Sequence, residues 1–347
     1  MVVVQKSTVG EDVKSLWEQP VASTPLSKFI RDVAQTEKII LFGESNTGKT
    51  YFYLSILEYL KKKGMKREDL KMCIVFPDRP TGLTKLASVI PKEYLEGDED
   101  APIQIFTVNN YEDLVRATAS AENCLQKHYE KTGKNGWLVV ELLEDAWKSA
   151  QDYYCRQAYG QSMGEYFAQK RAQVKAAKND EGAYKAFQGW GDWPVIKYFH
   201  NYNWIDRIKR MPYNVVFTAE VREEDSKDSL FSALGLRPAG EKDNLHRVDT
   251  ILHCSHNENS FTIRPYKLTG YKKLYGKINI TNKCGFEEHM SALDKLTKLG
   301  YRTSPILELE QEAGVKPPKK PKQTSTKKPK EKVEKEEEEE DEFDMEL

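Results

Sequence analysis

No stretch of this 347-residue chain approaches the roughly 18 consecutive apolar residues that a bilayer-spanning helix needs. The apolar part of the start, MVVVQKSTVGED, is too short for a signal peptide. A cytoplasmic protein with no membrane partner is therefore expected, in a host cytoplasm if the source is viral. Cysteine is sparse as well. Cys73, Cys124, Cys155, Cys254 and Cys284 are odd in number, scattered and without a CxxC pair, which argues against a disulfide framework and for a reducing compartment. The one dense His–Cys stretch, HCSH from His253 to His256, has a spacing that fits no structural zinc pattern and falls within an expected strand, so a metal site there is rejected. Net charge is also nearly absent, formally −1, but that balance conceals a sharp segregation. From Lys316 to Lys335 there are nine lysines and two acids, and from Glu336 to Leu347 nine acids and no base. Such blocks cannot bury enough apolar surface to offset chain entropy, and Pro317, Pro318, Pro321 and Pro329 exclude a continuous helix.

What is present starts with GESNTGKT, Gly43 to Thr50, placed directly after the apolar run KIILF and directly before the helix-prone YFYLSILEYL. This is a cradle for a nucleoside triphosphate. Its glycines let the backbone curl so that successive N–H groups of Gly43, Glu44, Ser45, Asn46, Thr47 and Gly48 point at phosphate oxygens; Lys49 reaches the β and γ phosphates, and the Thr50 hydroxyl serves Mg²⁺. ATP and Mg²⁺ are the expected cofactors. Adenine is favoured over guanine because TNKCG, which resembles the guanine-specifying NKxD, carries Gly285 where the aspartate belongs.

Around the loop, apolar runs alternate with helical patterns: KMCIVF, IQIFTV and GWLVVELL as strands, residues 51–63 and NYEDLVRATASAENCLQKHY as helices, then NVVFTAEV, DTILHCSH and FTIRPYKL as strands. Continuous apolar strands separated by helices predict an α/β fold with a mostly parallel sheet covered on both faces. The expected organisation is a polar lead-in over residues 1–37, a P-loop domain over 38–300 with a helical insertion at about 146–210, and a disordered tail over 301–347. Rings in the insertion, among them Tyr153, Tyr154, Tyr159, Tyr166, Trp190, Trp193, Tyr198, Tyr202 and Trp204, recur at helical spacing and are read first as core, with base stacking as the alternative.

Hydrolysis needs a carboxylate at the end of a neighbouring strand to hold the metal, and a group to orient water. WLVVELLED offers Glu141, with Glu144 and Asp145 close behind; Glu141 or Asp145 is the metal candidate. Asp78, after KMCIVF, is a candidate base, and Thr218 and Glu220 stand at the same edge as sensors. Among the later cations, Lys242, Arg264 and Lys267 are the candidates for a trans-acting or sensor charge.

GESNTGKT, VVELLEDAW, NVVFTAEV and GLRPAGEKDNLHRVDTILHC followed by IRPYK, in this order over roughly residues 36–270, resemble the motifs of phage-type RecA-like ATPases, single-domain relatives of RecA found in phages and archaeal viruses. The resemblance implies a RecA-like P-loop fold, and nucleotide binding by Gly43, Gly48, Lys49 and Thr50. It further implies magnesium at Thr50 and the acid after the strand, sensing by Thr218, and contact of GLRPAGEK with DNA or a neighbour's nucleotide. Recombination or repair on single-stranded DNA, by a homo-oligomer, is the implied function. The chain departs from the pattern in carrying Glu141 in place of aspartate and in the length of its insertion. The acidic end EEEEEDEFDMEL is similar in composition to the tails of single-stranded DNA-binding proteins, which implies a protein partner docking on Phe343, Met345 and Leu347. A packaging or terminase-like motor and a small-molecule kinase are the alternative readings. The first lacks a paired-acid nuclease pattern in 270–315 and the second an Arg-rich lid.

Overall fold

The computed structural model describes residues 36–76, 86, 88–97, 100–176, 192–224, 231–232, 234–257, 260–269 and 285–299. Asp78, Trp190, nearly all of the lead-in, the charged tail with its proposed docking residues, and TNKC before Gly285 lie outside them.

The apolar runs become strands. KIILF is β1 (Lys38–Phe42), MCIVF is β2 (Met72–Phe76), IQIFT is β3 (Ile103–Thr107), WLVV is β4 (Trp137–Val140) and NVVFTA is β5 (Asn214–Ala219). Side chains alternate across a strand, so each run feeds two cores. Ile40, Val75, Val140, Val215 and Phe217 pack on one face, and Ile39, Leu41, Ile74, Val139 and Val216 on the other. Burial on both faces is why these strands read as continuous apolar runs rather than alternating ones.

NVVFTAEV reads as one strand, but the chain divides it. β5 stops at Ala219, and Val221–Glu223 (β6) leaves to pair antiparallel with Leu236–Pro238 (β7). The cause is local: the Glu220 N–H donates to the Glu144 carboxylate at 3.3 Å and its carbonyl accepts from the Ala239 N–H at 2.8 Å, so neither group is available to the main ladder. Two long strands complete the main sheet, β8 (Thr250–Asn257) and β9 (Ser260–Leu268). The seven-stranded order is β3-β2-β4-β5-β1-β8-β9, parallel except for the final β8–β9 pair. The strand that enters the phosphate loop, β1, is separated from the acid-ended β4 by β5, and all three end at one edge. This is the RecA-like P-loop arrangement.

Helix α1 (Lys49–Lys62) buries Phe52, Tyr53, Ile56 and Leu57 against one face, each fully buried apolar side chain contributing about 1.5–3 kcal/mol. Short α2 (Lys92–Leu95) follows. On the opposite face lies α3 (Tyr111–Thr132), started by the Asn110 side chain accepting from the Asp113 N–H at 2.8 Å. The described part of the insertion holds α4 (Leu143–Tyr159), α5 (Met163–Ala176), α6 (Asp192–Lys197), a π-helical stretch Tyr198–Ile205, and α7 (Asp206–Arg210). Helix α8 (Phe286–Lys298) packs beside α1 through Phe286 on Phe52. Among the described residues, no helix is long and apolar enough to cross a membrane.

Most of the described insertion rings are packed. Trp204 is buried with its indole N–H on Thr118 Oγ1 at 2.8 Å, Tyr166 stacks on Tyr159 at 4.4 Å, and Trp193 stacks on Trp147 at 6.1 Å. Tyr198 and Tyr202 differ, at 53% and 63% exposed.

Below them His200 is fully buried against Trp147 and Trp204, and burial, with Arg247 adding to it, pushes its pKa down to about 3. The unfolded chain takes up this proton near pH 6.5, the folded one does not, so stability is complete above that value and falls as the solution is acidified toward pH 3. We expect a loss on the order of 2 kcal/mol between pH 7 and pH 5 from this group alone. Thermal melts across that range should slope less for His200→Gln than for wild type; equal slopes would show that another group sets the acid limit.

Candidate nucleotide site

The loop after β1 is shaped by two positions. At Gly43 a Cβ would lie 2.2 Å from the Cys254 carbonyl oxygen on β8 and 2.6 Å from Thr47 Oγ1, so no side chain fits. Gly48 has φ 91°, a left-handed conformation that glycine adopts at no steric cost, and it is the N-cap of α1. It has no side chain to cap the helix, so the first N–H groups of α1 and the positive end of its dipole are left to the loop's concavity. Glu44, Ser45 and Asn46 are exposed, while Thr47 is buried and donates to the Glu44 carbonyl at 2.8 Å.

Lys49 is 8% exposed and folds back into the cradle, where its ammonium donates to the carbonyls of Gly43 at 2.6 Å and Glu44 at 2.7 Å. Burial lowers its pKa, opposed by Cys254, Glu220, Glu144 and Glu141. Among the described residues, a buried cation hydrogen-bonded to carbonyls in a concavity rimmed by N–H groups is an arrangement that a polyanion completes.

The next residue, Thr50, donates to Glu141 Oε1 at 3.0 Å, and one turn on the Tyr53 hydroxyl donates to Glu141 Oε2. Glu141 follows β4 and shares a face with Trp137 and Val139, the face on which α1 packs; its peptide bond to Leu142 is cis. The register Val140–Phe217 places Thr218 on β5 directly alongside. Thr218 is fully buried and its Oγ1 has no hydrogen-bond partner among the described residues. Hydroxyls at Thr50 and Thr218 with a carboxylate at Glu141 form a hard-oxygen set of the kind Mg²⁺ takes.

Behind this set, Glu144 in the first turn of α4 is 8% exposed, and burial pushes its pKa up to about 7. Glu220, whose N–H it binds, is exposed and lines a cavity of about 840 Å³. That cavity runs from Ser45–Thr50 past Glu141 to Tyr51, Tyr59 and Phe261, and its volume suits a nucleotide.

No protein-family model matches the chain, and no curated protein does. Among solved structures, it is similar to an ATPase from the type III secretion system of pathogenic bacteria, at 11% identity and a TM-score of 0.35 over 63% of this chain. The chain spans about half of that protein, 51%. It is also similar to the RadB recombinase, at 13% identity and a TM-score of 0.34 over 71% of this chain and 88% of that one. The likenesses are too distant to bear on activity; the fold class stands on the sheet order and the loop.

The other candidate residues are dispersed. Asp145 is not at the Thr50–Glu141 contact: it pairs with Lys148 on α4 at 2.7 Å. Arg264 faces His253 across the β8–β9 ladder; burial first, then Arg264 and Lys49, lowers the His253 pKa to about 4, which puts both cations near that ring. Lys267 donates to the carbonyls of Leu245, at 3.1 Å, and Val248. Lys242 is exposed at the start of the 3₁₀ turn Lys242–His246. That turn is tied to the insertion, because Lys197 bridges the buried Glu241 at 3.0 Å and Asp243 at 2.9 Å. Arg237, in the same GLRPAGEK segment, is buried beside Glu224 rather than solvated.

Sequence reasoning missed Tyr53 and passed over Glu144. Tyr53 sits in an apolar helical run where its ring reads as core, and nothing in the sequence tells that its hydroxyl reaches the strand. Glu144 is in the acidic run, but only the fold turns it inward while Asp145 turns to Lys148.

Proposed function

We propose that this chain is an ATP-binding and ATP-hydrolysing P-loop protein that acts on DNA, with single-stranded DNA as the activating form. The observation that carries the reading is the hydrogen bond from Thr50 of the phosphate loop to the strand-end carboxylate of Glu141, with Lys49 buried in the cradle beside it. Thr50 and Glu141 would hold Mg²⁺, which when bound supplies charge neutralisation at the β and γ phosphates. Lys49 exchanges its two loop carbonyls for phosphate oxygens, and the N–H groups at the start of α1 bind the β phosphate. Thr218 hydrogen-bonds the γ phosphate or its attacking water from the sheet edge. Asp78 is the candidate to take the water proton and Asp145 an alternative metal acid, while Glu144, buried behind the site, holds the Glu220 N–H.

The DNA part of the reading is supported by the order of motifs after Thr218 and by the acidic terminus, which in this view competes with single-stranded DNA and docks on a protein partner. Assembly as a homo-oligomer is supported by exposed Lys242, free to serve a neighbour's nucleotide; Arg264 and Lys267 are the other candidates. Phosphate release should be measured with single-stranded DNA, duplex DNA and RNA. Stimulation by single-stranded DNA above the other two is expected. Turnover indifferent to every nucleic acid would leave the ATPase and remove DNA from the account.

A further inference from the structure

Among the described residues, Glu141 is held by two hydroxyls from a single helix. Thr50 and Tyr53 are three positions apart on α1, so both project toward β4, and each donates to a different oxygen of the same carboxylate. We propose that Tyr53 is a positioning residue for Glu141, fixing the carboxylate so that a Mg²⁺–nucleotide complex meets a preformed acid. This inference rests on the Mg²⁺–ATP reading above and deepens it.

The Tyr53 ring is fully buried in the core with Ile39, Leu41, Phe52 and Val216, so the helix cannot turn it away from the strand. Its hydroxyl is the only polar atom it contributes. Glutamate has a rotatable bond more than aspartate, and without Tyr53 its second oxygen would lose the hydroxyl donated from α1. A second donor limits that rotation, because the two oxygens of a carboxylate define its plane. The Thr50 contact is compatible with metal binding: a hydroxyl has one proton and two lone pairs, and with the proton on Glu141 the lone pairs remain for a cation. Tyr53 therefore does in the first layer behind the site what hydrogen-bonding partners of metal ligands do generally, where their loss costs about 10–100-fold in metal affinity. A glutamate at this position and a tyrosine one turn into the helix are then one device: an aspartate would withdraw the carboxylate by a methylene and leave the buried hydroxyl without its acceptor.

The test is a titration of Mg²⁺ into full-length protein holding a fluorescent ATP analogue, read as analogue affinity from metal-free buffer upward. For Tyr53→Phe, which keeps the ring, we expect wild-type affinity in metal-free buffer and a Mg²⁺ requirement raised about tenfold. Glu141→Asp should raise it as well without touching the core, and it decides the matter if Tyr53→Phe does not fold. Adding Tyr53→Phe to Glu141→Gln should shift the requirement no further than Glu141→Gln alone. An unchanged Mg²⁺ requirement in a folded Tyr53→Phe, or in Glu141→Asp where that variant decides, overturns the positioning role and leaves the nucleotide reading standing. Failure of wild type to bind the analogue at any Mg²⁺ concentration overturns both.

Discussion

Glu141→Gln is expected to keep its affinity for ATP at saturating Mg²⁺ and to lose about 10²–10³-fold in turnover, the cost typical of removing one electrostatic contributor to the reacting site. Glutamine preserves size, so the fold and the cradle are spared. What changes is the acceptor: both Glu141 oxygens now receive hydroxyl protons, from Thr50 and Tyr53, and an amide can satisfy only one of them. The charge opposite Lys49 is lost as well. Nucleotide affinity survives because it depends on the loop N–H groups and Lys49. Steady-state phosphate release with a parallel binding titration separates the two effects. If turnover persists, Asp145 or Asp78 takes the role instead and the Thr50 contact is structural.

Gly43→Ala is expected to act from the backbone. The new methyl would stand 2.2 Å from the Cys254 carbonyl, and neither partner is the far end of a flexible side chain: one is the turn out of β1 and the other is β8. The loop must move. Displacing a reacting group by about 1 Å costs on the order of 10²-fold in rate, and overpacking at a tight contact costs about 1–3 kcal/mol of stability. Both losses should appear together, as a lowered melting temperature and slowed ATP turnover, with ATP binding weakened as the loop shifts. An alanine variant that binds ATP as wild type does would mean the loop is softer than its contacts imply.

Much of this was legible in the chain. KIILF followed by GESNTGKT placed a strand, a loop and a helix start within a residue or two, because a phosphate loop constrains sequence and backbone together. WLVV followed by an acid was legible as a pattern, but the strand read as GWLVVELL stops at Val140, three residues short, where the first charge appears. The break at Glu220 was not legible, since AEV reads as strand until Glu144, 76 positions away, claims its N–H. Contacts of this kind are made by the fold. Tyr53 illustrates the limit most clearly, because a tyrosine inside an apolar helical run carries no mark of whether its hydroxyl ends in water or on a carboxylate. Nor does sequence tell that Lys267 is turned onto loop carbonyls while Lys242 is left exposed.

The central claim is that Gly43–Thr50 and Glu141 make a working ATP site, and the most direct test is Mg²⁺-dependent phosphate release from ATP by wild type and by Lys49→Ala. The account predicts release by wild type that disappears in the variant and in metal-free buffer. Release that is equal in the two proteins, or absent from wild type with and without single-stranded DNA, would contradict it.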